Sequence, residues 1–254
     1  MTRALDGRVA LVTGAGRGIG QGIALALADS GARVATVDID GRSASDTASA
    51  IAESGGEAVA LRCDVSDRDD VHEAVARVVE QFGALSVLVN NAQALRPEVP
   101  LVDHTVDDVA RALNSGFWGT FHCMQAAFEA LRDSGDGRVV NLGSSAGTQG
   151  QSGLAAYAAT KEAIRGLSRV AAREWGEFGI TVNVICPSAM SPGAQAWAGE
   201  HPDLYAEFLA QRPIRRDGDP FADIGALVVF LAGNGAGFIT GETIMVNGGS
   251  ALRP

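Results

Sequence analysis

Lysine is almost missing from this chain. Its 20 basic residues include a single lysine, Lys161, and the rest are arginine. Arginine keeps its proton and presents a flat fork, whereas lysine is a compact ammonium whose pKa moves with its surroundings. A position that keeps lysine against such a bias calls for a tunable point charge. Cysteine is scarce too. Cys63, Cys123 and Cys186 stand far apart with no CxxC. That excludes a disulfide framework or a thiolate metal site, and reads as small buried hydrophobes in a reducing, cytoplasmic setting. The four histidines, His72, His104, His122 and His201, share no metal-ligand spacing, so no metal is expected. No run of 18 apolar residues occurs, so no membrane-spanning helix is expected. The first 12 residues carry no signal-peptide pattern. Basic charge is short overall: the net charge of −10 argues against nucleic acid or an anionic membrane as partner.

The 254 residues are 46% hydrophobic, enough for a large core. Short apolar runs at 9–12, 33–37, 58–61, 85–89, 138–142, 181–185 and 243–246 look like parallel strands buried on both faces. Between them lie helical patterns at 18–30, 43–54, 67–82, 106–131, 155–177 and 221–233, with Asp67 and Thr105 as N-caps. This alternation predicts an α/β fold: one Rossmann-type domain over 1–254, a doubly wound parallel sheet of about seven strands with helices on both faces. The stretch 188–217 fits no crossover and reads as a substrate-loop insertion carrying Trp197, Tyr205 and Phe208.

Tyr157 precedes Lys161 by four residues, so the two share one helix face. An ammonium beside a phenol favours the phenolate, and the pair is a general acid/base candidate whose phenol should titrate well below its ordinary value. After the first strand comes Thr13-Gly14-Ala15-Gly16-Arg17-Gly18-Ile19-Gly20. Glycines there let backbone approach a pyrophosphate, with the following helix aiming its N-terminal amides at the anion. The second strand ends at Asp38, followed by Ile39. A carboxylate about 20 residues beyond the glycines accepts from the adenosine ribose and repels the extra phosphate of NADP. Asp38 therefore favours NAD, against a weaker opposite pull from Arg17.

These residues, with Asp64-Val65, Asn90-Asn91-Ala92, Asn114, Ser144 and Tyr157-Ala-Ala-Thr-Lys161 in order along nearly the whole chain, resemble the short-chain dehydrogenase/reductase family. The resemblance implies roles. Tyr157 moves the proton at the substrate oxygen, Ser144 bonds the same oxygen, and Lys161 lowers the Tyr157 pKa and holds the nicotinamide ribose. Asn114 holds a water linking Lys161 to solvent. Asp64 and Val65 flank the adenine; Asn91 and Ala92 lie near the ribose. The resemblance also implies a homotetramer built through long helices.

Two departures stand out. The family's Asn-Asn-Ala-Gly ends here in Gln93, whose amide is expected to bond a polar group of the substrate. Pro-Gly after the sixth strand is Pro187-Ser188, and a later threonine is Pro192, leaving backbone near Met190 to meet the carboxamide. The expected activity is hydride transfer between NAD(H) and a small secondary alcohol or ketone. Substrate contacts are expected from Gln93, Gln149 and Trp197, beside Ser144 and Tyr157. Trp197, Tyr205 and Phe208 suit an apolar lid over a cyclic alcohol, whereas Gln93 and Gln149 suit a polyol. The alternatives are a 3-oxoacyl thioester (acyl-carrier-protein) reductase, docked through Arg212, Arg215 and Arg216, and a non-catalytic NAD-binding protein. An enoyl reductase would space its tyrosine and lysine further apart.

Overall fold

The computed structural model of the protein describes residues 3–94, 98–189 and 198–252, the side chain of Phe208 excepted. Strands β1 (Val9–Thr13), β2 (Arg33–Asp38), β3 (Ala58–Arg62), β4 (Val87–Asn90), β5 (Arg138–Leu142), β6 (Thr181–Pro187) and β7 (Thr243–Val246) form at the expected places. They make one seven-stranded sheet, in the order β3-β2-β1-β4-β5-β6-β7. Every pairing is parallel.

Side chains alternate across the sheet, which explains the continuous apolar runs: both faces are covered. Val9 and Leu11 of β1 enter one core, against Val71, Val75 and Val78 of α3 (Arg68–Phe82) and Met124 and Leu131 of α5 (Gly119–Asp133). Ala171 of α7 (Ala155–Trp175) joins them. Ala10 and Val12 enter the other core, with Ile23 and Leu27 of α1 (Gly18–Asp29), Ile51 of α2 (Gly41–Glu53) and Leu231 of α9 (Ala226–Ala232). Cys63, Cys123 and Cys186 are buried free thiols, as their spacing suggests. Among the described residues no helix is long and apolar enough to cross a membrane, and no His/Cys/Asp/Glu group could hold a metal ion.

Both expected caps form. Asp67 accepts from the amides of Asp69 and Asp70, and Thr105 makes a reciprocal capping box with Asp108. Two long helical patterns prove to be interrupted. The stretch 106–131 divides into α4 (Val106–Leu113), a π-helix at Asn114–Trp118, and α5. The pattern at 221–233 begins as a π-helix, Pro220–Gly225, before α9. A wide i→i+5 turn adds a residue without breaking an apolar pattern, so periodicity does not betray it. A short helix, α6 (Ser145–Gln149), follows β5 and was not expected. Within 188–217, α8 (Pro202–Ala210) forms, and Ala189 bridges Gly218. The Tyr205 hydroxyl bonds Asp217, which also pairs with Arg212 at 2.7 Å. Tyr205 thus ties the insertion to its own base. Trp197, Met190, Ser191 and Pro192 lie outside the described residues.

Strand β1 has β2 on one side and β4 on the other, so the order in which strands are added across the sheet reverses there. The crevice above the carboxyl ends of β1 and β4 is where such sheets bind ligands.

Candidate active site

The crevice is pinned by Asn91. Its Nδ2 donates to Thr13 O at 2.9 Å and to Gly14 O at 3.0 Å. The Thr13 hydroxyl accepts from the amides of Asn91 and Ala92 at 3.0 and 3.1 Å. The loops after β1 and β4 are thereby locked together. Asn91 lines the cleft, where it is expected near the ribose, and its amide nitrogen is spent on holding the glycine loop. Gly14 and Gly18 take φ of +63° and +58°, which L side chains rarely adopt. Arg17 caps α1 with extended backbone and no side-chain bond, leaving the first-turn amides for an anion.

Asp38 is fixed by backbone. Oδ2 accepts from Gly16 N at 2.9 Å and Oδ1 from Asp40 N at 3.0 Å. Asp64 Oδ1 accepts from the Ser66 amide and hydroxyl at 2.9 and 2.7 Å, which orders the loop beyond β3. A cleft of about 460 Å³ runs between these groups. Gly14, Arg17, Gly18, Ile19, Gly20, Asp38, Ile39, Asp64, Val65, Asn91, Ala92 and Gln93 line it, together with Cys63, Ala94, Ser115 and Ala189, which the sequence did not point to. A nucleotide fits this wall: glycine backbone and helix amides at one part, a carboxylate at the end of β2, and an open trough joining them.

Beside the cleft, β5, α6 and α7 bring Ser144, Tyr157 and Lys161 together; these residues are not in its lining, but Tyr157 lines a small adjoining cavity that shares Ala94 with it. Lys161 is buried, and Nζ donates to Leu142 O at 2.9 Å. Nζ also stands 5.5 Å from the centroid of the Tyr157 ring. The Ser144 side chain lies close enough to the Tyr157 phenol to lower its pKa, and its Oγ caps α6 by accepting from Ala146 N at 3.1 Å. Tyr157, Ser144 and Lys161 are therefore together. Burial pushes the Lys161 ammonium down to about 8.

The Tyr157 phenol departs from expectation. Burial pushes its pKa up, Ser144 opposes this, and the Cys186 thiol adds to the rise. The lysine faces the ring and a backbone carbonyl, so its charge does not offset the loss of solvent. Asn114 is exposed at the start of the π-helix. Gln93 lines the cleft with its nitrogen held: Nε2 donates to Ala94 O at 2.9 Å, Ala112 O at 3.1 Å and Ser115 Oγ at 3.3 Å. Gln149 is exposed at the end of α6 and does not line the cleft. Pro187 ends β6, half-buried and outside the cleft lining. Met190 and Trp197, expected at the nicotinamide and the substrate, fall outside the described residues.

Known proteins resemble this chain over nearly its whole length. The family model described as enoyl-(acyl carrier protein) reductase matches residues 14–251. The chain belongs to the short-chain dehydrogenase/reductase family. It is 39% identical to a 12α-hydroxysteroid dehydrogenase of a Clostridium species over 98% of both chains. It is 38% identical to a 3-oxoacyl-[acyl-carrier-protein] reductase of Staphylococcus epidermidis, over 94% of this chain and 97% of that one. The solved structure of an NAD⁺-bound xylitol dehydrogenase superposes with a TM-score of 0.88 at 34% identity, covering 96% of this chain and 99% of that one. This chain is an oxidoreductase of the alcohol/ketone type that uses a nicotinamide cofactor.

Proposed function

We propose that the protein interconverts a secondary alcohol and its ketone with NAD as the preferred nucleotide, and with Tyr157 as proton carrier at the substrate oxygen. The observation that carries this is a buried Lys161 whose Nζ stands 5.5 Å from the Tyr157 ring, with Ser144 beside the phenol. When bound, the oxidised nicotinamide supplies a hydride acceptor and a positive charge near the phenol. Ser144 and Tyr157 hold the substrate oxygen, and Tyr157 takes the alcohol proton. Lys161 steadies the phenolate and meets the ribose hydroxyls, which a buried ammonium with spare N–H groups can do.

The choice of NAD rests on Asp38. Two backbone amides fix its carboxylate, so it cannot swing away from a 2′-phosphate. The NAD⁺-bound xylitol dehydrogenase supports the same choice. The acyl-carrier reading has a relative in its favour, but its proposed basic patch is weakened. Arg212 pairs with Asp217 and Arg216 with Asp223, each by charge-assisted bonds. A free alcohol, on a ring or a polyol chain, suits the site better than a carrier-bound thioester. Residues 1–254 act as one catalytic domain in this reading. Exposed Trp118, Val170 and Phe238 supply apolar surface for a homotetramer. Three buried free thiols suit a reducing cytoplasm. Absorbance of reduced cofactor across a panel of cyclic and acyclic secondary alcohols tests the proposal: turnover with NAD well above NADP is expected, and none with any alcohol would overturn it.

A further inference from the structure

The small cavity beside the cleft holds about 20 Å³, room for roughly one water-sized group. Ala94 lines both spaces, and Tyr157 lines this one, with His104, Asp108, Arg111 and Leu154 among its other walls. His104 directly precedes Thr105, the N-cap of α4. That position commonly holds an apolar side chain packed on the helix. Here it carries an imidazole. Its Nδ1 and Nε2 are both buried, and neither has a hydrogen-bond partner among the described residues. Asp108 and Arg111 therefore line the cavity without bonding the ring. The Asp108 Oδ2 is already taken by the amide and hydroxyl of Thr105, at 2.9 and 2.7 Å. The wall is fastened in place. Val99 N donates to Gly153 O at 3.1 Å, and Gln151 Nε2 to Glu98 Oε1 at 3.3 Å, which joins the 98–104 loop to the turn before α7.

We propose that His104 is a specificity-determining residue that binds a second hydroxyl of the substrate in this cavity. The proposal rests on the dehydrogenase reading above and names the substrate class within it, a polyhydroxylated alcohol or its hydroxyketone. Buried polar atoms need partners, and the described residues supply this ring with none. In the neutral ring one nitrogen donates and the other accepts, and a hydroxyl does both. The cavity admits one oxygen and excludes a ring, a carboxylate or a thioester chain. Because Tyr157 is part of its wall, a substrate whose oxygen meets the phenol can place the hydroxyl of a nearby carbon there. A substrate without that hydroxyl leaves the imidazole unsatisfied, and a site built to bond a hydroxyl rejects the analogue that lacks it.

The test compares erythrulose, a four-carbon ketone with a hydroxyl on each remaining carbon, with butanone, the same chain without hydroxyls. With reduced NAD, the parent's kcat/KM should be at least about tenfold higher for erythrulose. In His104→Leu that ratio should shrink about tenfold. In His104→Gln, which keeps a donor and an acceptor, it should shrink by no more than about threefold. A ratio that His104→Leu leaves unmoved overturns the proposal. A second readout needs neither turnover nor a folded leucine variant. The chain has four histidines, so protein made with isotopically labelled histidine gives few ring-nitrogen signals, and those of His104 are the ones absent from His104→Gln. With cofactor bound, erythrulose should move them and butanone should not. Signals that erythrulose leaves unmoved mean that the cavity keeps a water, and overturn the proposal. A protein in which erythrulose moves these signals while neither ketone is reduced overturns the dehydrogenase reading, and the His104 hydroxyl site stands.

Discussion

At the nucleotide end of the cleft, the recognition groups are mostly backbone: glycines at positive φ, the first-turn amides of α1, and a carboxylate clamped by Gly16 and Asp40. At the proton-transfer end they are side chains, Ser144, Tyr157 and Lys161, whose properties are set by burial. The first end is organised by contacts within its own loop and with Asn91. The second depends on several elements meeting, β5, α6, α7 and the π-helix between α4 and α5. Changes at the nucleotide end should alter affinity and cofactor choice. Changes at the other end should alter rate and its pH dependence.

The largest break between the two ends is expected from Lys161→Met. Loss of the ammonium should lower kcat by on the order of 10²–10⁴, read from steady-state NAD reduction. The same change should stabilise the cofactor-free protein below pH 8 by about 1–3 kcal/mol, because a buried charge is removed. The sign follows from the pKa. Folding depresses Lys161 from 10.5 to about 8, so below the folded value the protein carries the full cost of a buried ammonium. That cost disappears as pH rises through this window, and the advantage of methionine over lysine should vanish with it in denaturant titrations.

Ser144→Ala should lower kcat by on the order of 10²–10³ with little change in NAD affinity, since it removes one donor at the substrate oxygen. It would also remove the cap of α6, so a circular-dichroism melt must accompany the kinetics. Asp38→Ala should do the reverse: NAD binding, by fluorescence titration, weakens by about 10–100-fold with kcat nearly intact, and discrimination against NADP is lost. Thr105→Ala should cost only about 1 kcal/mol of stability, as loss of one helix cap, and leave both regions working.

The nucleotide end was readable because its signals are local. The glycine spacing, the acidic residue at the end of β2 and seven apolar runs all lie in short stretches of chain. Tyr157 and Lys161 were readable for the same reason, since i and i+4 share a helix face. What escaped the sequence is long-range or depends on burial. The π-helix leaves the apolar pattern intact while turning Gly116 inward and Asn114 outward. That Ala112 and Ser115, some 20 residues on, hold the nitrogen of Gln93 could not be read from its position in the chain. The direction of the Tyr157 shift follows from how much solvent the fold removes, and spacing carries no such information.

The most direct test of the central claim, that Tyr157 carries the proton, is a rapid-mixing comparison of the parent and Tyr157→Phe with NAD and an oxidisable alcohol. The account predicts that the variant binds NAD as the parent does but forms reduced cofactor slower by on the order of 10²–10⁴. Reduced cofactor appearing at the parental rate in Tyr157→Phe would contradict it.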